Sequence, residues 1–368
     1  MSTKQKTVRE PLIHITKRDG VPMWTGIAIR AAAIVLSIVV CALLVVLITG
    51  ADPIDFFSAV VKGSFGSKRK MWMAGQEVAM LLCIALAVTP AFKMRYWNLG
   101  AEGQVLIGGL AAAACMIYVG NALPTTLLLI VMFAASLLAG AVWAIIPAVF
   151  KAKWNTNESL FTLMMNYVAM QLVSFFIILW ENPKGSGQVG IINMQSQAGW
   201  LPSIGGQKYL LNILIVAVVT VGMFIYLKYS KQGYEISVVG ESENTARYSG
   251  INVKKVIVRT VAISGAICGL AGLMLVAGTD HSISTDTAGG DGFTAIIVSW
   301  LAKFNPFMMV LASFLIIFLQ RGAGEIATNL GLNTSIADIL TGVILFFIIG
   351  CEFFINYKIN FRKRGGNA

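Results

Sequence analysis

Long apolar runs separated by short polar ones dominate the chain from residue 27 onward. Most runs reach the roughly 20 residues that a helix needs to cross a bilayer. The pattern predicts ten crossings, near residues 27–49, 76–92, 101–119, 125–150, 158–180, 209–228, 256–278, 292–303, 306–320 and 335–354. A transmembrane barrel would instead show short segments of alternating polarity. The expected fold class is therefore an all-α polytopic membrane protein of about ten transmembrane helices.

Ten spans divide into five and five, and an odd number in each half makes the halves enter the membrane from opposite sides, as inverted repeats do. Span 3 then corresponds to span 8. Span 3 opens at "NLGAEGQ" (98–104) and span 8 at "AGGDGF" (288–293), each a glycine cluster holding one carboxylate, Glu102 or Asp291. Glycine-interrupted segments at matching places in two halves mark discontinuous helices and a translocation site. Ordinary surface loops, with glycine as the turn residue, would give the same letters. Glu102 falls in the first turn of span 3, where free N–H groups and the helix dipole favour a negative charge. Lys93 and Arg95 are its nearest candidate partners in the sequence.

Polar residues inside the spans add further candidates. Ser159, Thr162 and Asn166 share one face of span 5. Such groups either bridge to a neighbouring helix or line a wet path, and Asn166, a full amide at mid-span, is the stronger candidate for the path. Span 8 contributes Phe293, Ser299 and Trp300, which are either packing residues or a stacking surface. The expected pathway set is Asn98, Glu102, Gln104, Asn166, Asp291, Phe293 and Trp300. Asp55 to Phe65 reads as an amphipathic surface helix with Phe57, Val60, Val61 and Phe65 on one face. With the loop 181–208, it is a candidate docking surface on the side away from most basic residues.

Charge then orients the chain. Of its 368 residues 57% are hydrophobic and 12% charged, and the net charge is +11. With the N-terminus inside, all but seven of the 28 Lys and Arg residues fall on the cytoplasmic side. The seven are Lys62, Lys68, Arg69, Lys70, Lys184, Lys208 and Arg321. Both termini are therefore expected in the cytoplasm of a cell whose plasma membrane the chain spans, and the positive charge reports topology, not nucleic acid. The organisation expected is a cytoplasmic segment 1–23 that is no cleavable signal, a transmembrane domain 24–355 with a cytoplasmic loop 229–255, and a basic tail 356–368. The five cysteines lie in apolar runs and read as core residues. Two histidines and no CxxC leave little for a metal site, and no cofactor is expected.

In the cytoplasmic loop, Glu243 to Ser249 reads as a short helix. Ser242 stands at the N-cap, Arg247 toward the negative end and Gly250 at C′. It is either a solvated loop helix or a docking element.

"WNLGAEGQ", "NESLFTLMMNYVA" (157–169), "GESENTARYSGI" and "SGAICGLAG" (264–272), in that order, resemble permease subunits of bacterial ABC importers. The resemblance covers roughly residues 24–355 and lies on the nucleoside and simple-sugar branch, near the ribose and branched-chain amino acid permeases; "NLGAEGQ" inclines it toward nucleosides. It implies that the short cytoplasmic helix fits a groove on a separate ATPase, with Gly240, Glu241, Asn244, Ala246 and Gly250 in that role. It also implies a second permease subunit, identical or homologous, and an extracytoplasmic substrate-binding protein or lipoprotein. The chain contains no G-x-x-x-x-G-K-[ST] phosphate loop, so hydrolysis would belong to the partner. A simple-sugar importer is the alternative cargo. An ion-coupled secondary transporter, with Glu102 and Asp291 as coupling carboxylates, is the rival mechanism, and the cytoplasmic helix disfavours it. Nothing pairs a nucleophile with a base as a membrane enzyme requires.

Overall fold

The computed structural model describes residues 13–18, 22–49, 53–329, 331 and 334–361. Much of the expected N-terminal segment (1–12 and 19–21) and the end of the basic tail (362–368) lie outside them. Thirteen helices occur among the described residues. The first six are α1 (Met23–Thr49), α2 (Pro53–Phe65), α3 (Lys68–Lys93), α4 (Ala101–Val119), α5 (Thr125–Trp154) and α6 (Glu158–Trp180). Then come α7 (Leu210–Tyr229), α8 (Lys231–Glu241), α9 (Glu243–Tyr248) and α10 (Val253–Leu275), the last extended by a π-helical turn, Val276–Asp280. The chain continues through α11 (Asp291–Leu301), α12 (Pro306–Asn329) and α13 (Thr334–Asn356).

Nine of the described helices are long and apolar enough to cross a membrane. The expected spans at 101–119 and 158–180 coincide with α4 and α6. α3 starts eight residues earlier than its apolar run, because Lys68, Arg69 and Lys70 form its first turn behind the Ser67 N-cap. α12 extends to Asn329, nine residues beyond the expected 320. The expected eighth span is the exception: α11 has 11 residues, about 16 Å at 1.5 Å per residue, half of what the hydrocarbon core requires. It is a half-helix, the form that the discontinuous-helix expectation requires.

By its contacts the chain falls into two compact units, residues 1–63 with 319–368, and residues 64–318. In the first, α1 packs on α13 with an ion pair between Arg30 and Glu352. On α2, Val60 is buried and Val61 about half exposed, and the side chain of Phe57 lies outside the described ones. Gly322 lets the α12 backbone lie directly against Val60. Two strands, β1 (Ile13–Lys17) and β2 (Tyr357–Phe361), pair antiparallel, with Ile13 opposite Phe361 and Lys17 opposite Tyr357.

The second unit is built around α10, which packs on α3, α4 and α5. Lipid tails are as apolar as side chains, so close backbone approach, not hydrophobicity, holds such helices together. The sequence supplies it in "SGAICGLAG". Gly269 abuts Gly108 of α4 and the Ser136 carbonyl of α5, Gly265 abuts Gly140, and Gly272 abuts the Val105 carbonyl. A Cβ at any of these would overlap the neighbouring backbone.

Candidate functional site

The segment between α3 and α4 places the site. After Lys93 the chain turns through Arg95, at φ 60°, and residues 96–100 lead back to the start of α4. This stretch has no helix or sheet to satisfy its backbone, and buried N–H and C=O groups must be paired. Side chains of α6 do it. The Leu99 N–H donates to Thr162 Oγ1 at 3.1 Å, the Gly103 N–H donates to Asn166 Oδ1 at 2.9 Å, and Asn166 Nδ2 donates to the Leu99 carbonyl at 2.8 Å. Gly103 brings the backbone to within reach: a Cβ there would sit 2.9 Å from Asn166 Oδ1. Asn98 completes the frame. Its Oδ1 accepts from the Gly100 N–H and from Gln104 Nε2, both at 3.1 Å, while its Nδ2 donates to Gln104 Oε1 and Ser264 Oγ at 3.3 Å.

Glu102 then reaches across to α11. Its two carboxylate oxygens accept the N–H groups of Gly290 and Gly292, each at 2.8 Å. The carboxylate at the start of α4, which is a full-length helix and not the half-helix expected for span 3, thus caps the half-helix α11. The two N-termini converge here, since a Cβ on Gly292 would lie 2.6 Å from the Glu102 nitrogen. Each helix start carries about +0.5 of an elementary charge, so two of them facing one another repel. A carboxylate between them offsets that repulsion and satisfies two orphan donors at once. The expected partnership of Glu102 with Lys93 or Arg95 is therefore corrected: both oxygens are occupied by backbone N–H groups of the other half of the chain.

Six of the seven expected pathway residues divide by exposure. Asn98, Glu102, Gln104 and Asn166 are buried, at 4% exposure or less, with the partners just described. Their polar atoms bond to one another, to the backbone at the start of α4 and to the start of α11, so they brace the break. Phe293 and Trp300 are 45% and 46% exposed. Asp291 begins α11 beside the Glu102 cap, partly buried. Trp300 stacks on Trp97 with ring centroids 5.6 Å apart and an 18° tilt, and Phe92 meets both edge-on. α11 is fixed there by a 2.9 Å hydrogen bond between Ser299 and Thr89 of α3. The Trp97 partner was not among the expected residues. Its signal was its place directly before the glycine-rich break.

In the loop between α7 and α10, α9 forms as expected: Ser242 Oγ accepts from the Thr245 N–H, and Gly250 follows at φ +77°. The pattern did not predict α8, whose Ile236 and Val239 pack with Ala91, Val256 and Val261. Two of the five expected coupling residues face inward. Ala246 is fully buried in that cluster, and Gly240 is small because the Lys93 carbonyl lies against it. Glu241, Asn244 and Gly250 are exposed, and so is Tyr248, at 91%. The outward-facing aromatic was missed because sequence alone does not show which side of a one-turn helix is covered.

Comparisons with known proteins agree with this architecture. Residues 76–349 match the family described as branched-chain amino acid transport system, permease component. The chain is 27% identical to the glucose ABC transporter permease of Haloferax volcanii, over 97% of this chain and 96% of that one. It is 29% identical to the guanosine ABC transporter permease of Bacillus subtilis, over 88% and 93%. With the nucleoside ABC transporter permease of Lactococcus lactis subsp. cremoris it shares 27% identity, over 83% and 86%. Nine membrane-length helices among the described residues, together with the family match, mark a multi-pass transport permease. The chain belongs to the branched-chain amino acid transport system permease family.

Proposed function

We propose that the chain is one transmembrane subunit of an ATP-driven importer that carries nucleosides across the plasma membrane. The observation that carries this reading is the similarity, over more than four-fifths of the chain, to permeases named for guanosine and for nucleosides. The exposed Trp97–Trp300 stack supports it, since a planar base finds a matching face there. In the working assembly a second permease subunit, identical or homologous, faces this one. An extracytoplasmic binding protein delivers the substrate, an ATPase docks at the end of α8 and on the exposed side of α9 through Glu241, Asn244, Tyr248 and Gly250, and both termini lie in the cytoplasm. Glu102 holds the two breaks together and carries no proton. Phe293 and Trp300 face the pathway, with Asp291 beside them.

A simple sugar is the second reading, favoured by the similarity to a glucose permease over nearly the whole chain. The test is uptake into proteoliposomes containing the permease, its ATPase and its binding protein, with ATP inside. Saturable uptake of radiolabelled guanosine, blocked by unlabelled nucleosides and not by glucose or ribose, is expected. Uptake of a sugar with no response to nucleosides would replace the first reading with the second.

A further inference from the structure

An open cleft of about 400 Å³ lies where the ends of α3 and α7 meet the starts of α8 and α12, on the side where most Lys and Arg residues collect. Lys93 and Lys228 are among its lining residues, and no carboxylate is. Tyr234, Ser237 and Asn305 add polar groups to the wall. Lys228 is held at the lip with Nζ 5.2 Å from the centroid of Phe224. The positive ends of α8 and α12 point toward the same space, each already capped, at Gly233 by Ser230 and at Phe307 by Asn305. The two lysines and the starts of α8 and α12 favour an anion here, against the negative ends of α3 and α7.

Its flank is apolar and faces outward. Phe224 of α7, in the cleft wall, meets Phe307 of α12 with ring centroids 4.9 Å apart. Above that contact Val218, Val221 and Ile225 stay exposed at helical spacing on α7, and Phe307, Met308 and Leu311 stay exposed on α12. A headgroup at the lysines would therefore have acyl chains running over a surface already built for lipid. Basic pockets between transmembrane helices on the cytoplasmic side hold anionic headgroups in this way.

We propose that this cleft binds the phosphate headgroup of an anionic phospholipid of the cytoplasmic leaflet, which thereby bridges α3, α8 and the α11–α12 turn. The bridge matters because α8 leads into the short helix α9 while α11 carries Trp300, so a lipid seated here ties those two elements together. The site is independent of which substrate is carried.

The test uses the permease purified in its assembled complex and native mass spectrometry, with phosphatidylglycerol and phosphatidylcholine as probes. Retention of phosphatidylglycerol roughly 10–30-fold above phosphatidylcholine is expected, about fivefold for each lysine. Lys93→Gln with Lys228→Gln should abolish the preference. Lys93→Arg with Lys228→Arg should keep it, which separates charge from folding. Equal retention of the two lipids, or a preference that survives the double Gln variant, would overturn the proposal. So would displacement by millimolar glycerol phosphate, which would mark a soluble-anion site, or retention only when the ATPase is removed, which would mark a protein-covered surface.

Discussion

Replacing Glu102 tests the central joint. In the structure its two oxygens each take one backbone N–H of the α11 start, and the residue is 4% exposed. Glu102→Leu leaves the Gly292 donor buried and unpaired, at about 1–3 kcal/mol, while the donor of the exposed Gly290 loses less, so the joint loses at least about 1–3 kcal/mol. Since 1.4 kcal/mol is tenfold, the equilibrium should shift by about tenfold. Glu102→Gln keeps one acceptor and turns an NH₂ group toward the second N–H, so about half that loss is expected. The order of resistance to unfolding by sodium dodecyl sulfate in mixed micelles should be wild type, then Gln, then Leu. ATP-driven uptake should persist in the Gln variant and fail in the Leu variant. A Leu variant as resistant as the wild type would refute the capping argument. An ion-coupled carrier predicts a different pattern: the Gln variant loses all uptake at unchanged stability, and wild-type uptake stops when the ion gradient is removed with ATP maintained.

Three further outcomes follow from geometry. Tyr248→Ala should weaken ATPase association several-fold in pull-down while leaving the permease monodisperse, whereas Ala246→Trp should destabilise the permease itself, because Ala246 is fully buried; equal ATPase binding by Tyr248→Ala and the wild type would remove α9 from the docking surface. Thr16 and Lys358 are paired positions of β1 and β2, so cysteines there, in a chain lacking the native five, should cross-link under mild oxidation and react with impermeant reagents only from the cytoplasmic side. His281 stacks on Trp200 at 3.8 Å, and burial first, then Lys208, push its pKa below the usual 6.5 against a raising backbone hydrogen bond. Its neutral form is thus the folded form. That stabilisation is complete above about pH 6.5 and is lost as pH falls through the lowered folded value, so protease cleavage of the loop 181–208 should rise in acid, and His281→Phe should flatten the response.

How much of this was legible in the sequence depends on the distance to the partner. The ends of α4 and α6 could be read because local signals fix them: the glycine cluster before Ala101, and Asn157 accepting from the Leu160 N–H. The half-helix could be read from the short apolar run at 292–303, whereas the matching motif at 98–104 opens a full-length helix. Glu102's partner could not, because the N–H groups it accepts lie 188 and 190 residues away and belong to glycines that carry no side-chain signal. The shared face of Thr162 and Asn166 was visible from spacing, but whether it met backbone or water was a tertiary fact. Ala246 shows the same limit. A small residue permits a close approach on either side of a helix, and only the packed cluster of Ile236, Val239 and Val256 says which.

The pairing of β1 with β2 makes the ends of the described chain companions in time as well as in space. Thr16 and Lys358 bond across 342 residues of sequence. At a synthesis rate of about 5–20 residues per second, the first strand waits roughly 20–70 s for its mate. Throughout that interval its edge is open to any other extended chain at the ribosome. The clasp closes only when every span between has been synthesised, so its formation marks a chain made through residue 361.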